Sequence, residues 1–271
     1  MLIKELPIWQ GTYISPNQGD TESFELVSNS QIGFLEQKSI KSIERYASSI
    51  GDMHISRVLN MIGKKEYKNS LEIGVGANYV ARFIKDKVDI ECQYIVNPTI
   101  DNSNNFEKIK VFREYYPCKK LKDKKFDLIY SLNTIEHIPN PEKLLTQVRE
   151  DLTVDGIAIF IFHIIENQFV IGDLGVLRHE DVNYFSFNSA INLFESCGFK
   201  IDDLIKTEDN ITIKVSKSKS ESIKNITVNS GNILLTNVNK MQVKVKRNKS
   251  LIEKILKEGY NIGFHGASNS L

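Results

Sequence analysis

The chain has 271 residues, 41% of them hydrophobic, and its 35 basic and 34 acidic side chains leave a formal charge of +1. That is enough apolar material for one full domain with appendages, and the balanced charge lacks the basic footprint of a nucleic-acid binder. Three scattered cysteines (Cys92, Cys118, Cys197) with no C-x-x-C pair argue against structural zinc and a disulfide framework, and for a reducing cytoplasm.

Residues 1–33, with Pro7, Gly11, Pro16, Gly19 and many Ser and Asn, read as irregular. From Phe34 to about Lys64 the apolar period is helical: Ile43, Tyr46, Ala47 and Ile50, then Ile55, Val58, Leu59 and Ile62, either side of Gly51-Asp52. βα units follow, with strands expected at 70–74, 92–97, 109–112 and 126–131 and helices at 78–86 and 141–151. Asp155-Gly156 reads as a turn into the longest apolar run, strand 157–163, and Gly198 ends a helix over 188–197. Segments 199–206 and 211–215, joined by Thr207-Glu-Asp-Asn210, read as an antiparallel hairpin. The runs at 226–228, 233–235 and 243–245 suggest short strands in a Ser/Lys/Asn-rich linker. A helix at 250–259, a strand at 260–264 and a turn at 265–268 end the chain. No apolar run approaches the about 18–20 residues of a membrane span, and the N-terminus has no secretory pattern.

The most informative stretch is Ser70-Leu-Glu-Ile-Gly-Val-Gly-Ala-Asn-Tyr-Val80. A short apolar run carries Glu72, then Gly74 and Gly76, into a helical pattern. Such a junction lets backbone approach a ligand closely and turns helix amides toward it. The order E-x-G-x-G resembles the first motif of class I S-adenosylmethionine-dependent methyltransferases, in which the glycine turn passes under the cofactor's amino-acid end. Asn78 stands where that family has a third glycine, and Asn tolerates positive φ. Asn97 stands where the family has an acidic residue for the cofactor ribose; Asp101 is the nearby acid. Phe126-Asp-Leu-Ile-Tyr-Ser-Leu-Asn-Thr-Ile-Glu-His-Ile-Pro-Asn-Pro141 resembles the family's F-D-x-I…E-H-x-x-x-P segment. The resemblance therefore implies cofactor binding by Glu72, Gly74, Gly76, Asn78, Asn97, Ser131, Leu132 and Asn133, with His137 near the substrate.

Leu177-Arg-His-Glu-Asp-Val-Asn-Tyr-Phe-Ser186 is similar to the H-E-H-x-x-Y-F-S stretch of sugar C-methyltransferases acting on nucleotide-linked deoxysugars. Asp181 replaces the second His, and Arg178 the Tyr that often precedes the first. In those enzymes the two substituted positions supply acid/base groups, so the substitutions count against C-methylation. The resemblance implies catalytic roles for His179, Glu180, Asp181 and Tyr184: His179, oriented by Glu180 or Asp181, acts as general base, while Arg178 holds an anionic part of the substrate. Gly263-Phe-His-Gly-Ala-Ser268 is similar to the opening of those enzymes' C-terminal domain; the expectation is a pared-down relative lacking their zinc module and most of that domain, with a native or truncated C-terminus left open.

The expectation is an α/β, Rossmann-like, mostly parallel seven-stranded sheet with an antiparallel terminal hairpin strand, a helical N-terminal segment and a small C-terminal extension. The expected divisions are 1–66, a methyltransferase domain at 67–216, and 217–271. The function expected is S-adenosylmethionine-dependent O-methylation of a sugar-like small molecule in the cytoplasm, with no metal, nucleic acid or membrane. The oligomeric state is left open. The rivals are methylation of another anionic metabolite, a non-catalytic scaffold of the same fold and, more remotely, a nicotinamide-dependent oxidoreductase.

Overall fold

The computed structural model describes residues 2–7, 21–39, 52–63, 66–74, 79–98, 109–171, 174–178, 180–219 and 230–260. In chain order these form β1 (Leu2–Pro7), β2 (Thr21–Ser28), β3 (Leu35–Gln37), α1 (Asp52–Met61), β4 (Glu66–Ile73), α2 (Tyr79–Lys85), β5 (Asp89–Val96) and β6 (Ile109–Phe112). Next come β7 (Phe126–Leu132), α3 (Pro141–Asp151), β8 (Leu152–His163), α4 (Glu166–Ile171), β9 (Asn183–Tyr184), α5 (Phe187–Ser196), β10 (Phe199–Lys206), β11 (Asn210–Lys217) and α6 (Ser230–Lys257).

The main sheet has seven strands in the order β10-β11-β8-β7-β4-β5-β6. Pairings from β8 through β6 are parallel, and β11 is antiparallel to both its neighbours. The strand order reverses at β4, so the crevice beyond the carboxyl ends of β4 and β7 is where such a sheet takes a ligand. Both faces are covered, as a parallel sheet demands. α3 and α5 contribute Leu144, Leu145, Val148, Ala190, Leu193 and Phe194 to one core, which holds Phe126, Phe160 and Phe162 from the strands. α1 and α2 contribute Ile55, Val58, Met61, Val80 and Ile84 to the other, against Leu128, Tyr130, Leu132, Ile159 and Ile161. Local chemistry sets the helix ends. The Asn140 side chain accepts from the Lys143 amide at 2.8 Å to start α3, a Ser186–Ser189 capping box starts α5, and Gly198 at φ +79° ends it.

A second sheet, order β1-β2-β3-β9, is antiparallel throughout. Its apolar face (Phe24, Leu26, Leu35, Tyr184) packs on Phe169 of α4 and on Leu234, Val238 and Met241 of α6. This corrects the reading of the first 33 residues as irregular. Phe24 and Leu26 are buried while Glu25 between them is exposed, the period-two pattern of a half-buried strand. It also corrects the C-terminal strands. The runs at 233–235 and 243–245 lie inside one 28-residue helix, because a 3.6-residue stripe through 234, 238 and 241 meets a core. Asp155-Gly156 is not a turn: β8 runs through it, with a register irregularity against β7 between Phe126 and Leu128. The helix expected near 43–50, the strand at 226–228 and the tail at 261–271 lie outside the described residues. Among those residues, no helix is long and apolar enough to cross a membrane.

Candidate active site

The crevice edge begins where β4 ends. Glu72 is 0% exposed, and neither carboxylate oxygen makes a hydrogen bond of normal geometry. Burial pushes its carboxyl up to about 8, offset only in part by the Tyr130 hydroxyl and the Ala81 amide. Gly74 follows at φ +74°, its amide donating to the Val96 carbonyl at 2.9 Å. A Cβ there would overlap the Thr134 side chain, so glycine is required twice over. At the end of β5, Asn97 is buried and its amide donates to the Phe112 carbonyl at 3.1 Å. After β7 the backbone kinks at Asn133, with φ +45°. The Asn133 amide donates to the Ile161 carbonyl at 2.7 Å, leaving its side-chain Oδ1 buried and unpartnered.

Two of the residues expected at the cofactor serve the fold. The Ser131 hydroxyl donates to the Ile73 carbonyl at 3.0 Å, tying β7 to β4, and Leu132 lies in the core beneath α1 and α2. Gly76 and Asn78 lie outside the described residues. The groups in place fit the charged end of S-adenosylmethionine. Glu72 is an enclosed carboxyl with no hydrogen bond of normal geometry, Gly74 keeps the turn free of side chain, and Asn133 offers an orphaned acceptor.

One strand further along the same edge, the 3-10 turn Ile135–His137 meets the segment before β9. The Val182 amide donates to the Glu136 carbonyl at 2.8 Å. Asn183 Nδ2 donates to the carbonyls of Ile138 at 2.6 Å and Ile135 at 3.2 Å. These bonds bring His137 Nδ1 to 3.1 Å from Asp181 Oδ1 and 3.1 Å from the Glu180 carbonyl. Burial disfavours the charged imidazole, but Asp181 and Glu136 outweigh it and push its pKa up to about 9. His137 is therefore an imidazolium at neutral pH. Glu136 is 2% exposed with both carboxylate oxygens unpartnered. Burial raises its pKa, against the opposing pull of His137 and His163. Burial and Asp181 raise Glu180 as well, and its Oε1 lies 3.6 Å from Arg178 Nη1.

The structure thus gathers His137, Arg178, Glu180 and Asp181 on one edge, with Asp181 turned to His137. His179 lies outside the described residues. Tyr184 is not placed for chemistry. It is 2% exposed, and its hydroxyl donates to the Arg178 carbonyl at 2.7 Å and accepts from the Arg178 amide at 2.9 Å. Those bonds anchor the loop. Glu136, the acidic residue of the E-H segment, is matched by the motif without being given a role; its burial beside His137 is what singles it out. Among the described residues, no three His, Cys, Asp or Glu side chains gather as metal ligands.

No curated protein sequence matches the chain. Among solved structures, it is similar in fold to the YcgJ protein from Bacillus subtilis (13% identity, TM-score 0.52, covering 63% of this chain and 100% of that one). It is similar also to a protein from Listeria monocytogenes assigned as an S-adenosylmethionine-dependent methyltransferase (12%, TM-score 0.50, 62% and 100%). A third is a chain of the Haloferax volcanii complex containing the Trm112 methyltransferase activator (12%, TM-score 0.53, 62% and 89%). The family model described as "Methyltransferase domain" matches residues 49–204, more than half of the chain, and spans both halves of the crevice. The chain belongs to the methyltransferase-domain family.

Proposed function

We propose that this protein transfers a methyl group from S-adenosylmethionine to an oxygen of a sugar-like small molecule in the cytoplasm, a nucleotide-linked sugar or a polysaccharide precursor. The observation that carries this reading is the enclosed, unpartnered carboxyl of Glu136 beside the His137–Asp181 pair, on the same sheet edge as Glu72 and Gly74. The similarity of 177–186 to a sugar-methyltransferase segment supports the acceptor class.

Bound S-adenosylmethionine supplies an electrophilic methyl on a sulfonium. The chain's part is to hold the acceptor oxygen in line with it and take away the hydroxyl proton. His137, charged at neutral pH, donates a hydrogen bond to the acceptor and does not remove its proton. Glu136, whose basicity is raised by burial and whose carboxylate oxygens are unpartnered, is the candidate base beside His137; His179 is the second candidate base. Glu72 faces the positive end of the cofactor, and Arg178 meets the acceptor's anionic substituent.

Calorimetric titration with S-adenosylmethionine and S-adenosylhomocysteine tests the cofactor, and a screen of sugar nucleotides for methyl transfer tests the acceptor. Expected are micromolar binding and turnover that Glu136→Gln reduces by about a hundredfold with cofactor affinity unchanged. Binding of neither ligand by a folded protein leaves the scaffold reading in possession. Turnover confined to non-sugar acceptors overturns the sugar assignment.

A further inference from the structure

A second set of unpartnered polar atoms lies on the face of the sheet that α1 covers. β8 alternates Ile159 and Ile161 toward α1 with Phe160 and Phe162 toward the opposite core, so His163 continues the α1 face at the carboxyl end. Asn210 is its register partner on β11, and Thr212 is opposite Ile161. From above, α1 brings His54 and, one turn on, Arg57. Both ring nitrogens of His54 are buried without a hydrogen-bond partner, as are Arg57 Nη1, Thr212 Oγ1 and Asn210 Oδ1. Arg57 Nη2 lies 3.4 Å from the Met53 sulfur.

A buried polar group left unpaired costs about 1–3 kcal/mol, so five such atoms on one helix–sheet junction are placed for a ligand. The guanidinium is donor-only, the imidazoles and the hydroxyl can donate, and the Asn210 amide presents its NH2 by a flip of its terminal torsion. The nearby acids are Asp209, exposed and engaged with the Thr207 hydroxyl at 3.3 Å, and the buried Glu136, which His163 faces from the active-site side. Such a set suits an oxyanion. It lies one strand across from Asn133, whose amide is bonded to Ile161 of β8, and away from β5, the strand that carries Asn97.

We infer that His54, Arg57, His163 and Thr212 form a subsite for an anionic oxygen group, phosphate or carboxylate, carried by the methyl acceptor. The inference rests on the methyltransferase reading for what the anion belongs to, and on α1, β8 and β11 alone for where it binds. In the free protein His54 is held below its ordinary pKa by burial, by Arg57 and by His163, against Asp209. A bound anion reverses that balance, so anion affinity rises as pH falls.

The test uses the full chain, 15N-labelled and saturated with S-adenosylhomocysteine. It is titrated separately with inorganic phosphate and acetate while the His54 and His163 ring signals are followed. A saturable response to either anion supports the subsite and names its chemistry. The expected result is a His54 pKa raised by about one unit or more. Arg57→Met should weaken anion binding about tenfold or more, with S-adenosylhomocysteine affinity altered less than about twofold. Arg57→Lys covers the case in which the methionine variant unfolds, and the exposed Lys254→Gln is the unaffected control. No saturable response by about 50 mM of either anion overturns the inference. So does an Arg57 variant that loses cofactor affinity instead, since the cluster would then serve the cofactor's own carboxylate. Loss of cofactor binding in the native protein, with the phosphate response intact, would sink the methyltransferase reading and leave the anion site standing.

Discussion

Glu72 and His137 both hold protons more tightly in the folded chain than in the unfolded one, for opposite reasons. Burial alone raises Glu72 from 4.5 to about 8; ion pairing with Asp181, working against burial, raises His137 from 6.5 to about 9. In each case the stabilisation is complete below the unfolded value and is lost as pH rises through the folded one. Thermal stability should therefore decline from about pH 5 to about pH 9 in two overlapping portions. Glu72→Gln should remove the first portion, raise the melting temperature at pH 8, and weaken S-adenosylmethionine at least about tenfold. Binding to the native protein near pH 7 should release a proton, visible as a dependence of calorimetric heat on buffer ionisation enthalpy. His137→Gln should flatten the second portion and cost on the order of 2 kcal/mol at pH 6, measured by urea unfolding. A profile that keeps its slope between about pH 8 and pH 9 in that variant would contradict the pairing.

Single elements are held by a few contacts that local chemistry alone does not supply. The turn after β4 needs a glycine at position 74 for its positive φ and for the room Thr134 occupies. Gly74→Ala should destabilise the protein by about 2–3 kcal/mol, partly recovered by adding Thr134→Ala, as chemical denaturation would show. α6 docks through Leu234, Val238 and Met241, whereas Val243, Leu251 and Leu256 further along are exposed. A charge at Val238, 0% exposed, would be buried without a partner at a cost of several kcal/mol, about 2–7. Val238→Asp should accordingly release α6 and the small sheet. Hydrogen exchange would show amides of β2 and β3 losing protection while those of β7 and β8 keep theirs. The β-branched runs that suggested strands in this region are overruled because helix and strand propensities differ by less than the gain from burying one stripe of a long helix.

Across the whole molecule, the five consecutive parallel-paired strands from β8 to β6 form the centre of the main sheet, with a core on each face, while β2 and β3 depend on a single smaller one. Amides at the centre of β4, β7 and β8 should exchange only on global unfolding, and those of the small sheet by a lower-energy opening. The βα alternation, the glycine turn, the E-H segment and the reversed hairpin were legible in the chain itself, because strand and helix periods, positive-φ turns and caps are written within a few residues of where they act. The family followed from them. The small antiparallel sheet was decided only by tertiary structure: β1, β2 and β3 precede the main sheet in the chain, and β9, two residues long, lies between β8 and α5 within it. The same holds for the roles within the site. No spacing tells that Ser131 is bound to Ile73, that the Tyr184 hydroxyl is bonded to Arg178, or that Asp181 turns to His137. Those follow from which strand ends the fold brings within hydrogen-bonding distance, and from the burial that leaves the Glu72 and Glu136 carboxylates without a hydrogen bond of normal geometry.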